Sequence, residues 1–187
     1  MLKKGNNETK IITTKQIVFM ALMVALSIVF GKFLALNFTD MIRVSFENLP
    51  ILLTAIILGP ARGAIVALVA DLLGCLLRGY VINPAVTIGA VVFALVVGII
   101  FKYIPTRGLL ASITLSILPA HLLGSVLIKT IGLASFYLSS YDMGIGALVA
   151  LRLLVYGLTS VGEIFITVAL LKNKAFSRLV YKLQKGE

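Results

Sequence analysis

Asp71 and Arg78 lie seven residues apart inside the apolar run 64–80, and His121 with Lys129, then Arg152 with Glu163, repeat that arrangement in two later apolar runs. An ionisable side chain in bilayer hydrocarbon costs roughly 2.5–3.5 kcal/mol on insertion scales, so such groups mark places where a ligand, an ion or another charge is held. A helix turns every 3.6 residues, which puts Asp71 and Arg78 on one face. His121, Ser125 and Lys129 make a second polar stripe, and Arg152, Tyr156, Ser160 and Glu163 a third. These stripes are expected to face one another around a polar cavity. The chemistry they offer is recognition: guanidinium and ammonium groups pair with carboxylate or phosphate, and a buried carboxylate accepts from clustered N–H donors. Each group also has a plainer reading. Asp71 with Arg78 makes a structural ion pair, Glu163 a partner for a basic residue, and His121 a satisfied core histidine.

Membrane helices must position these groups. Of 187 residues 60% are hydrophobic and only 13% charged, where soluble domains carry about 25%. The expected fold is all-α: an integral membrane bundle of six transmembrane helices near 15–36, 48–58, 63–80, 84–103, 109–134 and 146–171. The second is short. Residues 1–14 form an N-terminal tail, 15–172 the membrane domain and 173–187 a basic C-terminal tail. The run 17–36 is longer than a signal-peptide core and lacks a cleavage site, so it reads as a retained first helix. Gly59-Pro60 and the stretch 105–108 supply turns.

The formal charge of +10 comes from Lys and Arg at both ends and at Arg62, Lys102 and Arg107. That distribution predicts cytoplasmic termini, not nucleic-acid binding. Cys75, the only cysteine, excludes an internal disulfide and reads as a packing residue. Small residues at four-residue spacing (Gly63, Ala67, Ala70, Gly74; Ala90, Ala94, Gly98; Ala21, Ala25) mark close helix approaches. Between the first two helices, residues 42–47 alternate apolar and polar, as in a short extended flap over a cavity or a solvated loop.

Depth sorts the polar residues. Arg78, Lys129, Arg152 and Tyr156 fall in the outer half, with Lys32, Arg43 and Asn83 near the outer ends. Asp71 and His121 fall near the middle, and Glu163 deeper. A cationic mouth over a carboxylate floor suits an anionic ligand. No nucleotide phosphate loop, H-E-x-x-H zinc motif or G-x-S-x-G nucleophile motif occurs, and no metal site is expected. Energy for active transport would then come from a partner.

The stretches Arg43-Val-Ser-Phe-Glu-Asn-Leu-Pro50, Leu58-Gly-Pro-Ala-Arg-Gly-Ala64 and Ala70-Asp-Leu-Leu-Gly-Cys75, with residues 120–129 and 151–156, resemble the substrate-binding S components of energy-coupling factor (ECF) vitamin transporters, the folate-specific group above all. The resemblance covers about 15–173. It implies a high-affinity receptor in a bacterial plasma membrane, not an enzyme, that binds its vitamin from outside with no cofactor of its own. It also implies docking on a transmembrane scaffold subunit with two ATPases that use ATP. Ala21 and Ala25 would carry that docking, and residues 43–48 would form a gate. In a folate site, Asp71 would accept from the pterin edge, and Phe46 or Tyr80 would stack on its face. Arg78, Lys129 and Arg152 would hold the glutamate tail, and Glu163 would lock the last helix to its neighbours. Pantothenate or a thiamine precursor is the alternative ligand; a lone ion-driven transporter using Asp71 and Glu163 is the alternative mechanism.

Overall fold

The computed structural model describes residues 12–37, 43–137 and 144–185. Helix α1 (Thr14–Ile28) starts with the Gln16 Oε1 accepting from Thr13 N at 3.4 Å, and runs into a π-helical turn, Val29–Phe33. Strands β1 (Leu36–Asn37) and β2 (Arg43–Val44) pair antiparallel. The expected extended flap is thus present as two residues of strand, and Ile42 lies outside the described residues. Helix α2 (Asn48–Leu58) follows. Gly59, at φ 101°, turns the chain directly into α3 (Pro60–Arg78) with proline in its first turn, where the missing N–H costs nothing.

Helix α4 (Pro84–Tyr103) is capped by Asn83, whose Oδ1 accepts from Ala85 N at 3.0 Å. Helix α5 (Leu109–Ala120) holds Pro119 and passes into a π-helical segment, His121–Ile128, and then α6 (Lys129–Tyr137). Proline withdraws one donor from the ladder, and a π segment next to it lets the helix continue with altered phase. Helix α7 (Ile145–Lys172) is the longest, and α8 (Lys174–Lys185) ends the described chain.

Among the described residues, five stretches are long and apolar enough to cross a bilayer: 14–31, α3, α4, 109–134 and α7. The expected second span, α2, has 11 residues. At 1.5 Å per residue it extends about 16 Å against a hydrocarbon core of about 30 Å. It is buried on every side from Asn48 to Ile57, walled in by α1, α3 and α4. An all-round apolar helix needs such a wall. Phe93, Val97, Ile113 and Ile117 complete the core. The small-residue faces of α3 and α4 are buried here, while Ala21 and Ala25 stand exposed on α1. Within the expected C-terminal tail, α8 packs on α7 and α2. The Gln16 Nε2 donates to Leu183 O at 2.7 Å, so the two ends of the described chain meet at one end of the bundle.

Candidate functional site

Because α2 is only half a span long, its N-terminal end stops inside the bundle. A cavity of about 20 Å³ lies there, lined by Glu47, Asn48, Asp71 and Lys129 with apolar groups of α1, α2, α3 and α4. That is room for about one water, whereas a vitamin needs several hundred Å³. The cavity is therefore closed to a molecule of that size, and the segment ahead of α2 stands at its edge. The contacts that hold that segment include three. The Ser27 hydroxyl donates to Glu47 O at 2.8 Å. The Lys129 Nζ lies 3.6 Å from Glu47 Oε1. Phe46 lies against Gly162 of α7, where a Cβ would come 2.9 Å from its ring.

Lys129 is buried. Its stem lies on Gly89 of α4, where a Cβ would come 2.6 Å from Lys129 Cγ and 2.6 Å from Gly124 O. Glycine at this crossing gives the ammonium its route into the core. Glu47, Asp71, Arg152 and Tyr156 all stand within its electrostatic reach. Asp71 Oδ2 accepts from the Thr87 hydroxyl at 2.6 Å, tying α3 to α4. Asn48 Oδ1 is buried with no hydrogen-bond partner among the described residues, an acceptor left over at the cavity. An ammonium, two carboxylates and a spare amide oxygen can together hold an anion and a group rich in N–H donors.

A second polar centre lies behind the first. His121 Nε2 is 2.7 Å from Glu163 Oε2, and His121 Nδ1 is 3.2 Å from Ser125 Oγ. The imidazole stacks on Tyr156 at 5.3 Å and tilts against Phe93 at 4.7 Å. Glu163 is fully buried, and its Oε1 has no hydrogen-bond partner among the described residues. None of these side chains lines the cavity. The three stripes do meet, but in two centres: Asp71 and Lys129 at the cavity, and buried His121 and Glu163 with the half-buried Tyr156 against the imidazole. Arg152 lies between them, its Nη1 donating to Ser125 O at 3.4 Å.

The remaining expected site residues sit further out. Arg78 is exposed at the end of α3, its guanidinium 4.7 Å over the Phe33 ring. Tyr80 is exposed. Asn83 spends its side chain on capping α4 and on Gly132 O at 3.2 Å. The side chains of Lys32 and Arg43 lie outside the described residues. Glu47 and Asn48 are the cavity residues that periodicity passes over, and Thr87, which holds Asp71, is a third residue of the site that it misses. Their signal is a pair of polar residues opening an otherwise apolar helix, and a threonine one helix away from a buried aspartate.

Residues 11–178 match the family model described as ECF-type riboflavin transporter, S component. A curated relative, the folate transporter FolT of Clostridium novyi (strain NT), is 34% identical over 86 residues, 45% of this chain and 49% of the relative. The match thus spans about half the relative's length. The crystal structure of FolT bound with folic acid superposes with a TM-score of 0.67 at 25% identity, covering 82% of this chain and 89% of that one. The structure of an S component of a bacterial ECF transporter superposes with a TM-score of 0.63 at 22% identity, covering 85% and 98%. At that identity the second likeness is one of fold.

Proposed function

Since the chain belongs to the ECF-type riboflavin transporter S component family, we propose that it captures an anionic vitamin of the folate type from outside and passes it inward. It is a multi-pass component of a transporter in the bacterial cell membrane, not an enzyme. The ligand class rests on one observation, the buried Lys129 ammonium at the cavity with Arg152 in reach. Folate brings carboxylates for those cations, and riboflavin, uncharged, brings none. The closed structure holds a carboxylate beside Lys129 already, that of Glu47. An incoming carboxylate exchanges with it, and the Phe46–Glu47 segment swings away from α7 as it does. Asp71 and the spare Asn48 oxygen then accept from the N–H edge of the pterin. The relative named as a folate transporter, and the fold shared with the structure holding folic acid, support this reading.

Riboflavin is the second reading, because the family model carries its name; its hydroxyls would use Asp71 and Asn48 alone. Tracer binding of folic acid to the detergent-purified chain, without ATP or an ion gradient, decides between them. Stoichiometric tight binding, competed by folates and not by riboflavin, pantothenate or thiamine, supports the folate receptor. Tight riboflavin or pantothenate binding instead keeps the receptor and overturns the ligand. Inward delivery uses a scaffold subunit and two ATPases, docked on the exposed face of α1 around Ala21 and Ala25. Ala21→Trp is expected to abolish uptake in cells and leave ligand binding unchanged; unaltered uptake removes the docking role.

A further inference from the structure

Helix α8 follows the last long span after one residue. Asn173 leaves helical geometry at ψ 125°, and its Oδ1 accepts from Ala175 N at 2.9 Å to start the new helix. Val180 and Leu183 are buried on the bundle. Gln184 Nε2 donates to Ile57 O at 3.0 Å, and Leu183 O accepts from Gln16. The helix therefore lies across the adjoining ends of α1 and α2, at the level where the membrane spans stop.

Its outer face is of one sign. At about 100° per residue, Lys174, Arg178, Lys182 and Lys185 fall within about 80° of one another and about opposite Val180 and Leu183. No acidic residue occurs from 164 to 186. Lys174, Arg178 and Lys182 follow one another at four-residue steps, a like-charge series that weakens a helix in water. Leu179 and Tyr181 flank the series exposed, and the Lys185 Nζ lies 4.7 Å over the Tyr181 ring. This face presents cations flanked by exposed apolar side chains, a combination that an anionic bilayer edge matches.

We propose that α8 is an interfacial helix whose basic face binds anionic phospholipid headgroups, the phosphates meeting the cations and the upper acyl carbons meeting Leu179 and Tyr181. An acidic protein surface would answer the charge without the acyl layer, and a bilayer edge answers both. Each cation near such a surface strengthens attachment by about fivefold. Because Gln16 and Leu183 are bonded, lipid holding α8 also holds the start of α1. The inference is independent of which vitamin is bound.

The chain has no tryptophan, so Tyr181→Trp gives a single fluorescent reporter on this face. The full-length variant is reconstituted in vesicles of phosphatidylcholine, with and without phosphatidylglycerol, and quenched with acrylamide. The expected result is reporter protection that rises severalfold with phosphatidylglycerol and is reversed by salt. Replacing Lys174, Arg178 and Lys182 by Gln in the reporter protein is expected to abolish that response. Equal quenching with and without phosphatidylglycerol overturns the proposal, whether the reporter is open or shielded in both. The lipid response of the unneutralised reporter decides on its own, so a poorly folded triple variant leaves the test intact.

Discussion

Glu47 and Glu163 both bring a carboxylate to a side chain that can carry positive charge, but they do so in different surroundings. Glu163 is fully buried on the longest helix, 2.7 Å from His121, with aromatic rings on both sides of that imidazole. Glu47 stands at the start of a half-length helix, 3.6 Å from Lys129 and 26% exposed, beside a cavity. The first pair has nowhere to go, and holds α7 to the π segment of the neighbouring helix. The second belongs to a segment pinned by a few contacts that can be exchanged. Inside one membrane bundle, burial on all sides turns a carboxylate–imidazole contact into a fastener. A cavity on one side leaves the same chemistry open to exchange, as the proposed ligand site requires.

The contrast can be broken most directly at the sealed pair. His121→Ala leaves Glu163 buried without its partner and is expected to destabilise the fold by about 3–5 kcal/mol, read as thermal unfolding in detergent. Ligand affinity measured below the transition is expected to change much less. Affinity lost with stability unchanged would move the ligand to the sealed centre. At the cavity the order reverses. Lys129→Met is expected to weaken folate binding by about 2–3 kcal/mol, as loss of a charged hydrogen bond does, and Arg152→Ala by about 1.5–3 kcal/mol. Isothermal titration checks both, and affinity equal to the parent's removes the residue from the site.

Gly162→Ala places a methyl 2.9 Å from the Phe46 ring and is expected to cost the closed form about 1 kcal/mol. Faster ligand exchange in stopped-flow fluorescence is the readout, and unchanged exchange denies Phe46 its part in closure. The smallest effect has the opposite sign. Glu47→Gln removes the carboxylate beside Lys129 and is expected to tighten folate binding by about 0.5–1 kcal/mol. Weakened binding would make Glu47 a direct ligand contact instead.

Much of the fold was legible because hydrocarbon is an unforgiving solvent. Apolar runs, Gly-Pro turns and placement of Lys and Arg marked α3, α4 and α7 closely, with Asp71, His121, Lys129, Arg152 and Glu163 as the polar exceptions. Helix α8 went unread, although Phe176, Val180 and Leu183 recur at helical spacing opposite its cations. Its basic residues masked an apolar face that only α2 and α7 make useful.

Residue order alone is enough to say that this chain lives in a membrane, where its helices turn and which side chains must be satisfied inside, because each depends on transfer energy and local spacing. The tertiary structure decided which of those side chains meet. Periodicity assigns a residue to a face but not to a partner. Only the crossing at Gly89 and Gly124, the short reach of α2 and the π segment after Pro119 bring Lys129 to Glu47 and His121 to Glu163. Those are long-range contacts, set by how helices pack.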